Sequence, residues 1–196
     1  MKKKEAILNS ATRLFSEKGF KDTSISEISR ATGAAEGTIF YHFKSKEELF
    51  LAILKEFKDS IVDEFKHYIE EKDFENGMEM VDNVISFYLY LAGSMEDRFL
   101  LLHRHDAYEL SKVNPICREY LEEIYNCLVE LFERAIILGR EDGSIEKDIH
   151  PRKTGMIIFA MVDAVVRFNT YSLYDAGALY SELINACHRI LADRKI

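Results

Sequence analysis

Proline occurs only twice in 196 residues, so little in this chain interrupts long helices. No apolar run reaches bilayer-spanning length, and the longest apolar stretch carries Asp163 and Arg167 inside it. The basic start, Met1-Lys2-Lys3-Lys4, leads into an amphipathic helix rather than a signal-peptide core. A membrane partner is thereby excluded, and a cytoplasmic location is expected. The three cysteines, Cys117, Cys127 and Cys187, are widely spaced in apolar stretches. They read as buried thiols, since no spacing supports a disulfide or a metal pair. Strand alternation, internal repeats and low-complexity segments are missing. So are a phosphate-binding loop, a dinucleotide fingerprint, a nucleophile elbow and a zinc-protease motif. The expectation is no catalytic residue, no cofactor and no enzyme. The string His103-Arg104-His105-Asp106 is the one metal-like cluster, but residues two apart on a helix face away from each other.

What is present is an ordinary globular composition, 47% hydrophobic and 31% charged, which excludes a disordered chain. The net charge of −8 is unevenly spread. Residues 1–50 hold nine Lys or Arg against seven Asp or Glu, whereas residues 51–196 hold 17 against 27. A polyanion is therefore repelled by the C-terminal part and tolerated only at the N-terminal end.

Apolar spacing of three and four predicts about nine helices. The first runs over Lys3–Lys18, with Ile7, Leu8, Ala11, Leu14 and Phe15 facing inward and Gly19 ending it. Ser24 and Glu27 form a capping box for a second helix, whose inner face is Ile25, Ile28 and Ala31. Gly33 stops it. A third, short helix covers Ala35–Tyr41, with Ile39 and Phe43 inward. Ser45 and Glu48 cap a fourth, which reaches about Ile69. The fifth covers Met78–Ala92 and is closed by Gly93. The sixth is capped by Ser94 and reaches Leu110. Asn114-Pro115 starts a seventh, which reaches Leu138. Pro151 opens an eighth, apolar almost all round to Thr170, and a ninth carries one broad stripe to Leu191. Two short helices about a glycine turn form the helix-turn-helix plan, over about residues 24–43, in which the second helix enters the DNA major groove.

Within Thr23–Leu49 the residues Thr23, Ser24, Ile28, Ala31, Gly33, Gly37, Thr38, Tyr41, His42, Phe43, Lys44, Lys46, Glu47 and Leu49 closely resemble the DNA-binding domain of the TetR family of bacterial regulators. The resemblance covers roughly the first 55 residues. It implies an all-α fold: a DNA-binding domain over residues 1–47, joined by the long fourth helix to a ligand-binding and dimerisation domain over 48–196. By position, Glu36, Gly37 and Thr38 come first on the recognition helix. The Thr38 methyl can meet a thymine methyl and its hydroxyl a base or phosphate, Glu36 can accept from a cytosine amine, and Gly37 permits close backbone approach. Ser26 lies on the outer face of the preceding helix, within reach of bases. Carried over from the family, Thr23, Ser24, Tyr41, His42 and Lys46 match backbone-contact positions. Two departures stand out. Ala35 cannot cap the recognition helix by side chain. Phe40 stands where the family usually has a phosphate-binding tyrosine, which leaves Tyr41 more of the anchoring.

The resemblance further implies a homodimer paired through the last two helices, a near-palindromic site on double-stranded DNA, and repression relieved by a small, largely apolar ligand. Tyr88, His103, Tyr125, Asp163 and Arg167 are the polar groups placed to orient that ligand; Asp163 and Arg167, four apart, can equally pair with each other. The alternative is a DNA-binding protein of the same type with no small-molecule inducer, controlled by a protein partner or acting structurally on DNA.

Overall fold

The computed structural model describes residues 2–192, the side chains of Lys2 and Ala176 excepted. Of the basic arm, Lys3 and Lys4 are exposed, while the side chain of Lys2 lies outside the described residues, as do residues 193–196 of the C-terminal domain. Among the described residues the chain is all-helical: α1 (Lys2–Lys18), α2 (Ile25–Thr32), α3 (Glu36–His42), α4 (Lys46–Glu70), α5 (Gly77–Ser94), α6 (Glu96–His103), α7 (His105–Ser111), α8 (Pro115–Asp142), α9 (Pro151–Thr170) and α10 (Ala176–Leu191).

The described residues form ten helices rather than nine because the expected sixth is broken at Arg104, which is extended (φ −73°, ψ 146°). Its start also differs. α5 runs on through Gly93, and the Ser94 hydroxyl donates back to Leu91 O at 3.0 Å instead of capping the next helix. Met95 takes the cap position with no side-chain bond. Gly139 does not end the next long helix; α8 continues to Asp142, and Gly143 (φ 84°) follows it. The cap of α4 is a shifted box: Ser45 Oγ accepts from Glu48 N at 3.0 Å, but the Glu48 carboxylate accepts from Lys44 N at 2.8 Å.

The helices pack as two compact units. The expected division at residue 47 concerns function, and packing groups the helices differently. One unit runs to Asp63 and includes Met95–Ile124; the other is Glu64–Ser94 with the chain from Tyr125 on. In the first, α1 packs on α2, α3 and α6. The predicted inner face of α1 is fully used, with Ile7, Ala11 and Phe15 at 0% exposure. Phe15, Phe20 and Phe50 form a ring cluster with centroids 5.1–5.7 Å apart, the tilted geometry that aromatic quadrupoles favour. Ile28, Ile39 and Phe43 close the core below the turn, but Ala31 is exposed.

In the second unit α9 packs on α5 and α10. Gly155, Ile158, Phe159, Val162, Val165 and Val166 line the buried side of α9. Its other side presents Met156 and Ile157, each more than half exposed. Burial raises the thiols of Cys117, Cys127 and Cys187 to about 11.

Candidate nucleic-acid interface

Short local bonds set the geometry of α2 and α3. Ser24 caps α2: its Oγ accepts from Glu27 N at 3.2 Å, and the Glu27 carboxylate accepts from Ser24 N at 2.9 Å. The Lys18 ammonium bonds Glu27 at 2.7 Å and, with the Ser24 N–H, holds its carboxyl down to about 2, from 4.5. A folded value below the ordinary one means that this contribution is complete above about pH 4.5 and is lost as pH falls toward about 2. Gly33 then turns the chain at φ 67°, a conformation that costs residues with a Cβ.

Two side chains that sequence reasoning missed hold the turn itself. Ser29 Oγ donates to Ala34 O at 2.7 Å, and Thr32 Oγ1 accepts from Ala34 N at 3.1 Å. Their spacing to the turn is the signal that was available. Ala35 occupies the α3 cap position without a side-chain bond, as its methyl requires. Ser26 Oγ instead donates across to Glu36, tying the exposed face of α2 to the start of α3.

The outward face of α3 is open. A Cβ added at Gly37 meets nothing within 4 Å. Tyr41 is 84% exposed and Phe40 46%. Thr38 and His42 are half-buried, and His42 meets Tyr41 edge-on at 5.2 Å. Arg30 and Lys44 are exposed on the flanks, and Lys4 sits over the Phe43 ring at 5.6 Å. The arrangement offers backbone approach at Gly37, hydroxyls at Ser24, Ser26, Thr38 and Tyr41, and cations around them.

Two of the predicted backbone-contact residues bond within the protein, Thr23 buried and Lys46 half-buried. Thr23 is 1% exposed, and its hydroxyl lies 2.8 Å from Gly19 O and 3.2 Å from Leu14 O, fastening the start of α2 to the end of α1. Lys46 Nζ donates to Phe20 O at 2.7 Å and Thr23 O at 2.9 Å, and lies 4.5 Å from the centre of the Phe20 ring.

Of the ligand candidates, four come together in the second unit. Tyr88, 1% exposed, donates its hydroxyl to Asp163 at 2.7 Å. Arg167 lies 3.9 Å from the same carboxylate. The rings of Tyr88 and Tyr125 lie 5.8 and 5.9 Å from that of Phe159. His103 belongs to the first unit, buried on α6 with its ring against Phe99.

The family model described as bacterial regulatory proteins, tetR family, matches residues 7–53. The fatty acid metabolism regulator protein of Bacillus subtilis is 24% identical over 160 residues, 82% of this chain and 79% of that one. The HTH-type transcriptional repressor DhaR of a Mycobacterium species is 24% identical, covering 76% of this chain and 72% of its own. Among solved structures, the transcriptional regulator FadR of Bacillus subtilis in complex with stearoyl-CoA superposes with a TM-score of 0.76 at 23% identity, over 96% of this chain and 99% of that one. A transcriptional regulator from Saccharomonospora viridis in complex with choline superposes with a TM-score of 0.83 at 19% identity, over 97% and 98%. These structural likenesses extend the shared fold well beyond the matched N-terminal segment.

Proposed function

Since the chain is a TetR-family transcriptional regulator and not an enzyme, we propose that it is a homodimeric repressor, released from a near-palindromic operator by a small, largely apolar ligand. The observation that carries this reading is the open face of α3, where Gly37 admits a backbone and Thr38 and Tyr41 stand at its edge. Residues 1–47 form the reader. Thr38 reads a base; Ser24, Tyr41 and His42 anchor phosphates; Ser26 and Glu36 set the edge of the reading surface. Lys46 works mainly from inside, as a support of the corner that leads into α2.

The dimer forms through α9 and α10. Met156, Ile157 and Phe168 on α9 and Ile190 on α10 leave apolar surface uncovered, which a second copy buries at about 25 cal/mol per Å². The ligand lies in the second unit near Tyr88, Tyr125, Asp163 and Arg167. It acts only to the extent that it prefers the conformation that does not bind DNA. No described helix is long and apolar enough to cross a membrane, and the regulator works in the cytoplasm, where its DNA is.

Selection from a random duplex library, followed by titration of the chosen site, tests the reading. A two-fold related site is expected. Thr38→Ala should flatten the preference at one base step per half-site, at a cost of about 1–3 kcal/mol, while leaving other steps as they were. Uniform weakening at every step would make Thr38 an anchor rather than a reader. Native mass spectrometry in the presence of stearoyl-CoA and of choline, the two ligands seen in the neighbours, tests the ligand arm. Binding of either that also releases the operator supports it. A dimer that repels both and purifies with no added mass favours the form without inducer.

A further inference from the structure

The first unit holds a group of charged side chains outside the residues assigned above to DNA contact. α6 and α7 are separated by one extended residue, Arg104. Its guanidinium reaches the C-terminal end of α1, where Nη1 donates to Ser16 O at 2.9 Å and lies 3.4 Å from Glu17 O. The last carbonyls of a helix lack intrahelical donors and carry the negative end of its dipole, so a cation is well placed there. Two residues on, Asp106 accepts from the backbone N–H of Phe20 at 3.1 Å and lies 3.7 Å from Arg104 Nε. Asp97, at the start of α6, accepts from the Ser16 hydroxyl at 3.2 Å.

Gly19 sits between these groups. Its φ of +99° suits glycine, and a Cβ there would lie 2.9 Å from both Arg104 Nη2 and Asp106 Oδ2. The α1–α2 corner is thus held from α6 and α7 by a linked cation and carboxylate. On its other bonds the same corner is held from α4, through Lys46 to Phe20 O and Thr23 O.

The reader is held on α4 by the short Phe43–Ser45 connection, by Lys46 and by the rings of Phe15 and Phe20 against Phe50. Arg104 and Asp106 add a polar attachment of the same corner to α6 and α7. We propose that Arg104 and Asp106 are positioning residues for operator binding: they fix the angle at which α2 and α3 are presented, and so match the dimer to one half-site spacing. This rests on the homodimer and two-fold operator proposed above. Neither residue touches DNA; both act through the Gly19–Thr23 corner.

The test uses the full-length protein and the operator it selects. Duplexes are made with the half-sites one and two base pairs closer or farther apart. For each protein the affinity at each spacing is divided by its own affinity at the selected one, which cancels any general loss of folded protein. One base pair both shifts and rotates a half-site, so the wild type should lose at least about tenfold per step. Arg104→Ala and Asp106→Ala should each reduce that penalty to about threefold or less. Arg104→Lys, which keeps a cation able to donate to Ser16 O, should restore the sharp profile. Variant profiles as sharp as the wild type would overturn the proposal. Selection of a lone half-site by the wild type would instead overturn the dimeric reading beneath it.

Discussion

Gly77→Ala should lower the unfolding free energy by about 3 kcal/mol, the upper part of the range for overpacked sites. Gly77 opens α5 where it crosses the end of α8. A Cβ there would lie 2.0 Å from Gly139 N, 2.3 Å from Gly139 Cα and 2.5 Å from Ala135 O. All three are backbone atoms, which cannot rotate aside as a side chain can. Two bonds tie the start of α5 to the end of α8: Gly77 N donates to Asp142 at 2.7 Å, and Met78 N to Ser144 Oγ at 3.2 Å. Opening the helices to admit a methyl would stretch both bonds. For a chain of this length the shift in melting midpoint is about 6–12 °C downward, read by circular dichroism at 222 nm. Gly37→Ala supplies the contrast within the same protein. Its Cβ meets nothing, and alanine is the better helix former by about 1 kcal/mol, so stability should hold or rise while operator affinity falls. A Gly77→Ala midpoint within a degree of the wild type would show that α5 and α8 separate easily.

Lys46→Met should cost about 2 kcal/mol of stability, the loss of a charge-assisted hydrogen bond with its carbonyl partners left behind. Family resemblance assigns this lysine to a DNA phosphate, whereas its ammonium bonds Phe20 O and Thr23 O within the protein. The two roles separate cleanly. A phosphate anchor leaves stability alone and lowers the slope of log affinity against log salt by about one per subunit. A support of the corner lowers stability and leaves that slope in place. Methionine keeps an apolar stem over the Phe20 ring, so the change isolates the charge. Urea denaturation and a salt series on the same preparation distinguish the outcomes.

Lys46 marks where the sequence stops being legible. The inner face of α1, the Ser24 and Glu27 box, the positive φ of Gly33 and the uncapped start of α3 were all readable, because each depends on neighbours within a few positions. Thr23 and Lys46 were not, because their partners lie on the far side of a corner formed only when α1, α2 and α4 meet. The break at Arg104 is of the same kind. The apolar pattern from Phe99 to Leu110 reads as one helix, yet it breaks at Arg104, whose guanidinium bonds carbonyls of α1, 88 positions away in the case of Ser16. Only the charged string His103–Asp106 hinted that this stretch does something other than continue. Among the ligand candidates, Asp163 could be read as a partner of Arg167 four residues on. Its bond to Tyr88, 75 positions distant, could not.

The three thiols carry a consequence of another sort. Peroxide and disulfide reagents attack the thiolate, and burial keeps Cys117, Cys127 and Cys187 protonated up to about pH 11. At neutral pH these three thiols therefore hold far less thiolate than a free cysteine, and peroxide should modify them more slowly.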